Sequence, residues 1–204
     1  MVKKLLSLLF ALTLSATSLP AFSDSGNSTA NVSFDDNLST PAISSRTGRS
    51  VARRMENLRT KLVQKGIEAD MVRNNEVIKA TIPAEKLFAP NETKLHAGAE
   101  ELLNDFRAFI DHPEMYRLIV AVYADDSGDE QYSFQLTEER AMAVKKAFTR
   151  MASAEVVSPN IDYYWFGNTK FAYPNNSLAN RAKNRRVEIY IVPEAKFIDA
   201  SKTA

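Results

Sequence analysis

The chain has 204 residues, 45 % of them hydrophobic and 25 % charged, with a formal net charge of +1. That length fits an export signal, a tail and one packed domain, and the near-neutral balance implies no bulk attraction to nucleic acid or to anionic membranes. There is no cysteine, which excludes disulfides, thiol catalysis, thiolate metal sites and lipid attachment through an N-terminal cysteine.

Lys3 and Lys4 make a positive start, and the following run to Leu19 is mostly apolar but too short and too rich in Ser and Thr for a good membrane span. Ala21-Phe22-Ser23 offers small residues at the positions a signal peptidase reads, so residues 1–23 are expected to be a signal peptide cut after Ser23. Residues 24–45 are rich in Ser, Asn, Asp and Thr with little apolar period, the composition of a flexible tail. From Arg46 the pattern changes. Val51, Met55, Leu58 and Leu62 recur at helical steps, so an amphipathic helix over 46–64 is predicted to pack on the core, with Gly66 ending it. Arg49, Arg53, Arg54, Arg59 and Lys61 occupy its remaining surface, read either as a solvated face or as a contact for something anionic.

A hairpin follows, 67–72 and 77–82 around Asn74-Asn75. The segment Leu87-Phe88-Ala89-Pro90-Asn91 leads to a helix through Ala99, Leu102, Leu103, Phe106 and Ile110, with Pro113 after its end. The near-continuous apolar run 118–124 reads as a central strand covered on both faces. Thr137 is expected to cap a helix that has Glu138 and Glu139 in its first turn and runs to about Met151. A strand at 161–166, a short helix at 178–183 and a last strand at 186–192 complete the order. The economical solution is one mixed sheet of about four strands with helices packed on it. His96 and His112 lie too far apart for a shared helix or hairpin metal site.

Two residues break local rules. Arg140 lies on the core-facing stripe of Val144, Phe148 and Met151, where a cation is costly unless paired, and the predicted cap places it in the first turn, against the helix dipole. Free backbone N–H groups beside a guanidinium make a carboxylate site, although a buried ion pair or a side chain bent out to water fits the same spacing. Asp125 ends the apolar strand in the turn Asp125-Asp126-Ser127-Gly128, where acids are common. A strand end followed by a loop and a helix start brings Asp125 and Arg140 near one another. Together they fit a zwitterion bearing both ammonium and carboxylate.

The blocks Asp125-x-x-Gly128, Leu136-Thr137-x-x-Arg140-Ala141 and Asn184-Arg185-Arg186-Val187-Glu188-Ile189 resemble the OmpA-like C-terminal domain family in order, spacing and flanking elements, over roughly residues 77–192. The resemblance implies an α/β (α+β) fold, a βαβαβ sandwich with one mixed four-stranded sheet, here preceded by an amphipathic helix and hairpin. It also implies non-covalent peptidoglycan binding through the diaminopimelate of the stem peptide. Asp125 would take the ammonium, Arg140 the carboxylate, Arg185 would line the same site, Leu136 would form an apolar wall, and Phe88 and Asn91 would belong to the loop after the first strand. Ser133 stands where the family usually has Asn. Further departures are Ala124 for Thr, Ala89 for Asp and Asn180 for Gly.

The domain plan is thus a signal at 1–23, a tail at 24–45, a helix and strand at 46–75, an OmpA-like domain at 76–194 and a C-terminal tail at 195–204. The expected setting is the periplasm or cell envelope, with peptidoglycan as partner and neither nucleic acid, cofactor nor metal. No run of alternating segments for a transmembrane barrel is visible. No nucleophile–base pair or ligand set points to an enzyme. The alternative is a periplasmic interaction module that keeps the fold but docks a protein partner, with the basic 46–64 helix as its contact.

Overall fold

A continuous apolar run is satisfied only where both faces of a strand are covered, and Tyr116–Tyr123 (β4) takes that place. Leu118, Val120 and Val122 face one core, while Ile119, Ala121 and Tyr123 face a second on the other side. The computed structural model describes residues 27–202, so the signal and cleavage site read at 1–23 lie outside the described residues. The remaining strands are β1 (Asn27–Ser28), β2 (Glu68–Val72), β3 (Val77–Pro83), β5 (Ile161–Trp165) and β6 (Arg186–Pro193), in the spatial order β1-β5-β4-β6-β3-β2. Only β4 and β5 run parallel; the other neighbours are antiparallel.

The mixed α/β architecture is the expected one, with a larger sheet than the four strands anticipated. The first hairpin strand, β2, pairs with β3 and extends the same sheet at one edge. The reversal between them uses left-handed backbone at Arg73, Asn74 and Asn75, a conformation that asparagine tolerates well.

One face of the sheet is covered by helices. In α2 (Ser45–Gln64), Val51, Met55 and Leu62 are buried in the core and Leu58 packs against it, as its 3.6-residue period required. The arginines of α2 do not share one free face. Arg54 lies over the Phe197 ring at 4.4 Å and donates to Ser201 Oγ at 2.7 Å, and Arg59 pairs with Glu56. The expected central helix is broken into α3 (Ala99–Asn104) and α4 (Arg107–Ile110). The longest helix, α5 (Glu130–Met151), packs on β4 and β5.

Residues 27–44 correct the reading of a flexible tail. They fold onto the opposite face of the sheet through β1 and α1 (Phe34–Ser39). Phe34 meets Tyr164, Phe166 and Tyr190 edge-on at 5.3 to 5.4 Å between ring centroids. Buried Asn37 donates to Asp162 at 2.7 Å and to the Tyr164 hydroxyl at 2.8 Å. Arg117 and Arg73 then hold the carbonyls of Asn37, Leu38 and Thr40 at the end of α1. So short a helix has almost no stability of its own, and its order comes from this docking. The C-terminal tail read at 195–204 is corrected in the same way. After α6 (Leu178–Asn184) and β6, α7 (Ala195–Ala200) buries Phe197 against α2.

Phe34→Ala is expected to cost about 3 kcal/mol, in the range for an aromatic truncated in a core. Limited proteolysis should leave residues 27–44 on the folded fragment of the native protein and remove them from the variant. Removal from the native protein without a change in melting temperature would show that this segment does not stabilise the sheet.

Candidate functional site

Strand register brings the site together. Tyr123 pairs with Arg186 across β4 and β6, and Arg186 pairs with Pro83 across β6 and β3. The end of β4, the end of β3 and the start of β6 therefore lie at one edge of the sheet. Asp125 follows the first, the Ala84–Asn91 loop follows the second, and Arg185 precedes the third. Successive residues of a strand alternate faces, so the adjacent Arg186 serves the opposite face, stacking on Tyr123 at 3.9 Å and bonding Glu188 at 2.7 Å.

These elements and α5 surround a cavity of about 470 Å³, a size suited to a small ligand. Asp125, Arg140, Arg185, Leu136, Ser133, Phe88 and Asn91 all line it. Ala124 and Ala89, two of the departures from the family pattern, line it too, while Asn180 is half-buried outside it and donates to Asn176 instead. His96 and His112 are separate and exposed, and among the described residues no group of three or more His, Cys, Asp or Glu could hold a metal.

Asp125 is 3 % exposed. Its Oδ1 accepts from the Ser127 backbone N–H at 3.1 Å and from the Ser127 hydroxyl, and its Oδ2 pairs with Arg185 Nη1. Burial alone pushes the carboxyl upward, but the Ser127 and Arg185 contacts outweigh it and hold Asp125 below the usual carboxylate range. An ionised carboxylate offers about four acceptor positions. Three are occupied, and one remains for a donor in the cavity. The Arg185 side chain is 41 % exposed, so it can yield a position as well.

Arg140 is 3 % exposed and has no ion-pair partner among the described residues. Its Nε donates to the Glu92 carbonyl at 2.9 Å, and the guanidinium lies over the Phe88 ring at 5.0 Å. Burial lowers its pKa, and the nearby Arg185 adds to the effect. A cation so held, with an uncharged face toward the cavity wall and a second cation nearby, has the chemistry to accept an anion.

The route by which Arg140 gets there differs from the expected one. Thr137 does not cap α5. The helix starts at Glu130, with the Asp129 side chain accepting the Tyr132 N–H at 2.8 Å. Asp129 follows Gly128 directly, so a sound cap precedes Thr137, and the helix passes through it. Thr137 is buried, returns its hydroxyl to Ser133 and Phe134 carbonyls, and accepts the Gly167 N–H at 3.0 Å. Arg140 thus stands in the helix interior, and the helix N-terminus adds nothing to its field.

Sequence reasoning missed Ser127 and Glu92. Ser127 sits two residues after Asp125 in an Asp-initiated turn, a signal that was present. Glu92 acts through its main-chain carbonyl, for which no residue type gives a signal.

The OmpA family model matches residues 87–185. An outer-membrane lipoprotein, YfiB, of Pseudomonas aeruginosa is 28 % identical over 108 residues, which are 53 % of this chain and 62 % of that protein, so the match spans about six-tenths of the curated relative. Among solved structures, a MotB-like protein from Desulfovibrio vulgaris superposes with a TM-score of 0.58 at 24 % identity, covering 72 % of this chain and 92 % of that one. The cell wall anchor of the T6SS from Pseudomonas aeruginosa does so with 0.52 at 20 %, covering 72 % and 97 %. Residues 87–185 of this chain thus match the OmpA family model, and the blocks Asp125-x-x-Gly128 and Leu136-Thr137-x-x-Arg140-Ala141 lie inside that match.

Proposed function

We propose that this protein binds peptidoglycan non-covalently, through the diaminopimelate of the stem peptide, and so links or anchors within the cell envelope. The observation that carries the reading is Arg140, a buried guanidinium without an acidic partner among the described residues, lining the same cavity as a buried, ionised Asp125. The free end of diaminopimelate bears an ammonium and a carboxylate on one carbon. Arg140 takes the carboxylate in its planar fork, and Asp125 takes the ammonium at its open acceptor position. Arg185 balances the Asp125 charge, and Leu136 covers the aliphatic chain. The family match supports this reading, as does a fold shared with a protein described as a cell wall anchor. The chain is read as a binding module rather than an enzyme, periplasmic or envelope-associated. Among the described residues no helix is long and apolar enough to cross a membrane.

Two charge-assisted contacts contribute about 1.5–3 kcal/mol each. With a few neutral hydrogen bonds, one site reaches a Kd on the order of 0.1 mM to a few μM. Repeated stems along one polymer then give avidity.

Arg140→Ala is expected to weaken binding to purified sacculi roughly ten- to a hundredfold, with the melting temperature within a few degrees of the native value. Arg140→Lys should fail as well, because a point charge cannot reproduce the bidentate fork. Asp125→Ala should lose the ammonium contact. A variant Arg140→Ala that melts much lower yet still sediments with sacculi would make Arg140 a structural residue and favour a protein partner.

The pH profile gives an independent measurement. The Asp125 carboxyl is held below its ordinary value, so its charge persists as pH falls from 7 toward about 4. Its contribution is lost only as pH drops through the lowered value. Calorimetry with a stem peptide should therefore show nearly constant affinity from pH 7 to about 4.5. A steep loss near pH 6 would contradict the role of Asp125.

A further inference from the structure

α2 carries six cations against one acid, Glu56, in a chain whose net charge is only +1. Glu56 is taken by Arg59, and Arg54 is engaged by Phe197 and Ser201. Arg46, Arg49 and Arg53 stay exposed, without an ion-pair partner among the described residues. They recur at steps of three and four, so they form a row on one side of the helix over about 10 Å. The row opposes its own helix. No acid stands in the first turn of α2, Arg46 does, and the Ser44 cap makes no side-chain hydrogen bond. Cations there meet the positive end of the dipole, and Arg49 with Arg53 is a like-charged i, i+4 pair. By contrast α1, α3 and α5 all have acids in their first turns. The row also lies at the edge of the sheet opposite the cavity. The cavity opens where β3 ends and β6 begins. Gly48 instead lies beside Glu76, just before β3, where a Cβ would come within 3.0 Å of Glu76 Oε1. Arg54 likewise reaches Phe197 and Ser201, beyond the end of β6.

We propose that the row of Arg46, Arg49 and Arg53 docks the protein on an anionic phospholipid surface, with lipid phosphates as the groups it holds. The inference stands apart from the diaminopimelate reading, since the two sites lie at opposite edges of the sheet. A guanidinium fork matches phosphate oxygens, and each arginine near an anionic leaflet adds to the attraction. The rest of that helix side is Asn57, Thr60 and Gln64, so it offers no aromatic or large apolar anchor. Val63, the large apolar residue exposed on α2, lies nearly three turns beyond Arg53. Protein interfaces draw most of their energy from such anchors, packed at a dry centre. A lipid surface needs none, because its headgroups move laterally and meet a row of charges at any spacing. The chemistry of the row therefore favours lipid over an acidic protein. A molecule docked this way has its cavity turned away from the membrane.

The test is co-sedimentation of the full chain with vesicles of phosphatidylglycerol and phosphatidylcholine, and with vesicles of phosphatidylcholine alone. At low salt the native protein should bind the anionic vesicles at least about tenfold more tightly, and should lose most of that binding as salt screens the surface. The triple variant Arg46→Gln, Arg49→Gln, Arg53→Gln should lose the preference while melting at the native temperature or above, because a like-charged pair is removed. Its binding to sacculi should not change. A second triple variant, Lys86→Gln, Lys94→Gln, Lys146→Gln, lowers the net charge equally and should keep the preference. Equal binding to both vesicle types, or binding to neither, overturns the proposal. So does a row variant that keeps the preference, or a lysine variant that loses it as fully, which would leave net charge alone as the cause. Row-dependent binding to polyglutamate without binding to anionic vesicles would overturn the lipid contact in favour of an acidic protein.

Discussion

β4 and β6 lie side by side at the centre of the sheet with both faces covered, so their termini are where the chain can open a cavity. β6 is buried along its whole length from Arg186 to Pro193, and β4 from Leu118 to Tyr123. Helices must cover one face, and residues 27–44 the other. Since β4 and β6 are antiparallel neighbours, the exit of one and the entry of the other share an edge, and the loops there are free to carry chemistry. Asp125 and Arg185 meet for that reason, sixty residues apart in the chain.

Two arginines in this fold are buried in opposite electrostatic settings. Arg186 is 7 % exposed, and its guanidinium meets Glu188, which in turn accepts from the Tyr190 hydroxyl at 2.6 Å. That network answers its own charge and stabilises the outer face of the sheet. Arg140 is as deeply buried, yet it has a carbonyl and an aromatic face in place of a carboxylate. A buried charge without a counter-charge among the described residues costs stability, and an anion entering the cavity would offset that cost under the reading proposed above. Phe88 and Glu92 hold the guanidinium in place in the free protein, so a ligand there would lose little of its binding energy to ordering it.

The departures from the family pattern sit around this arrangement rather than in it. Ala124 gives no side-chain hydrogen bond, but its N–H joins the Gly167 carbonyl at 2.8 Å and keeps the β4 exit in register with the loop after β5. Ser127 holds Asp125 through both its N–H and its hydroxyl. Gly128 is needed beside it, because a Cβ there would come within 2.8 Å of Tyr132 and 3.1 Å of Ser133. The charged pair therefore keeps its support even where neighbouring polar groups are missing.

Much of this was legible in the amino-acid order. The period of Val51, Met55, Leu58 and Leu62, the apolar run of β4 and the element order determined the fold class, because each depends on which side of a local element meets the core. Arg140 was visible as a conflict, a cation on a core-facing stripe. The start of α5 was not, since Asp129 and Thr137 are both competent caps and only packing against the Gly167 loop gives Thr137 another partner. Residues 27–44 and α7 carry too few apolar side chains to show a period, and Phe34 and Phe197 acquire meaning only from the surfaces that receive them. The pairing of Asp125 with Arg185, and the hydrogen bond from Arg140 to the Glu92 carbonyl, came from strand register and loop closure. These are contacts between distant segments, and local sequence carries no energy term for them until the sheet has formed.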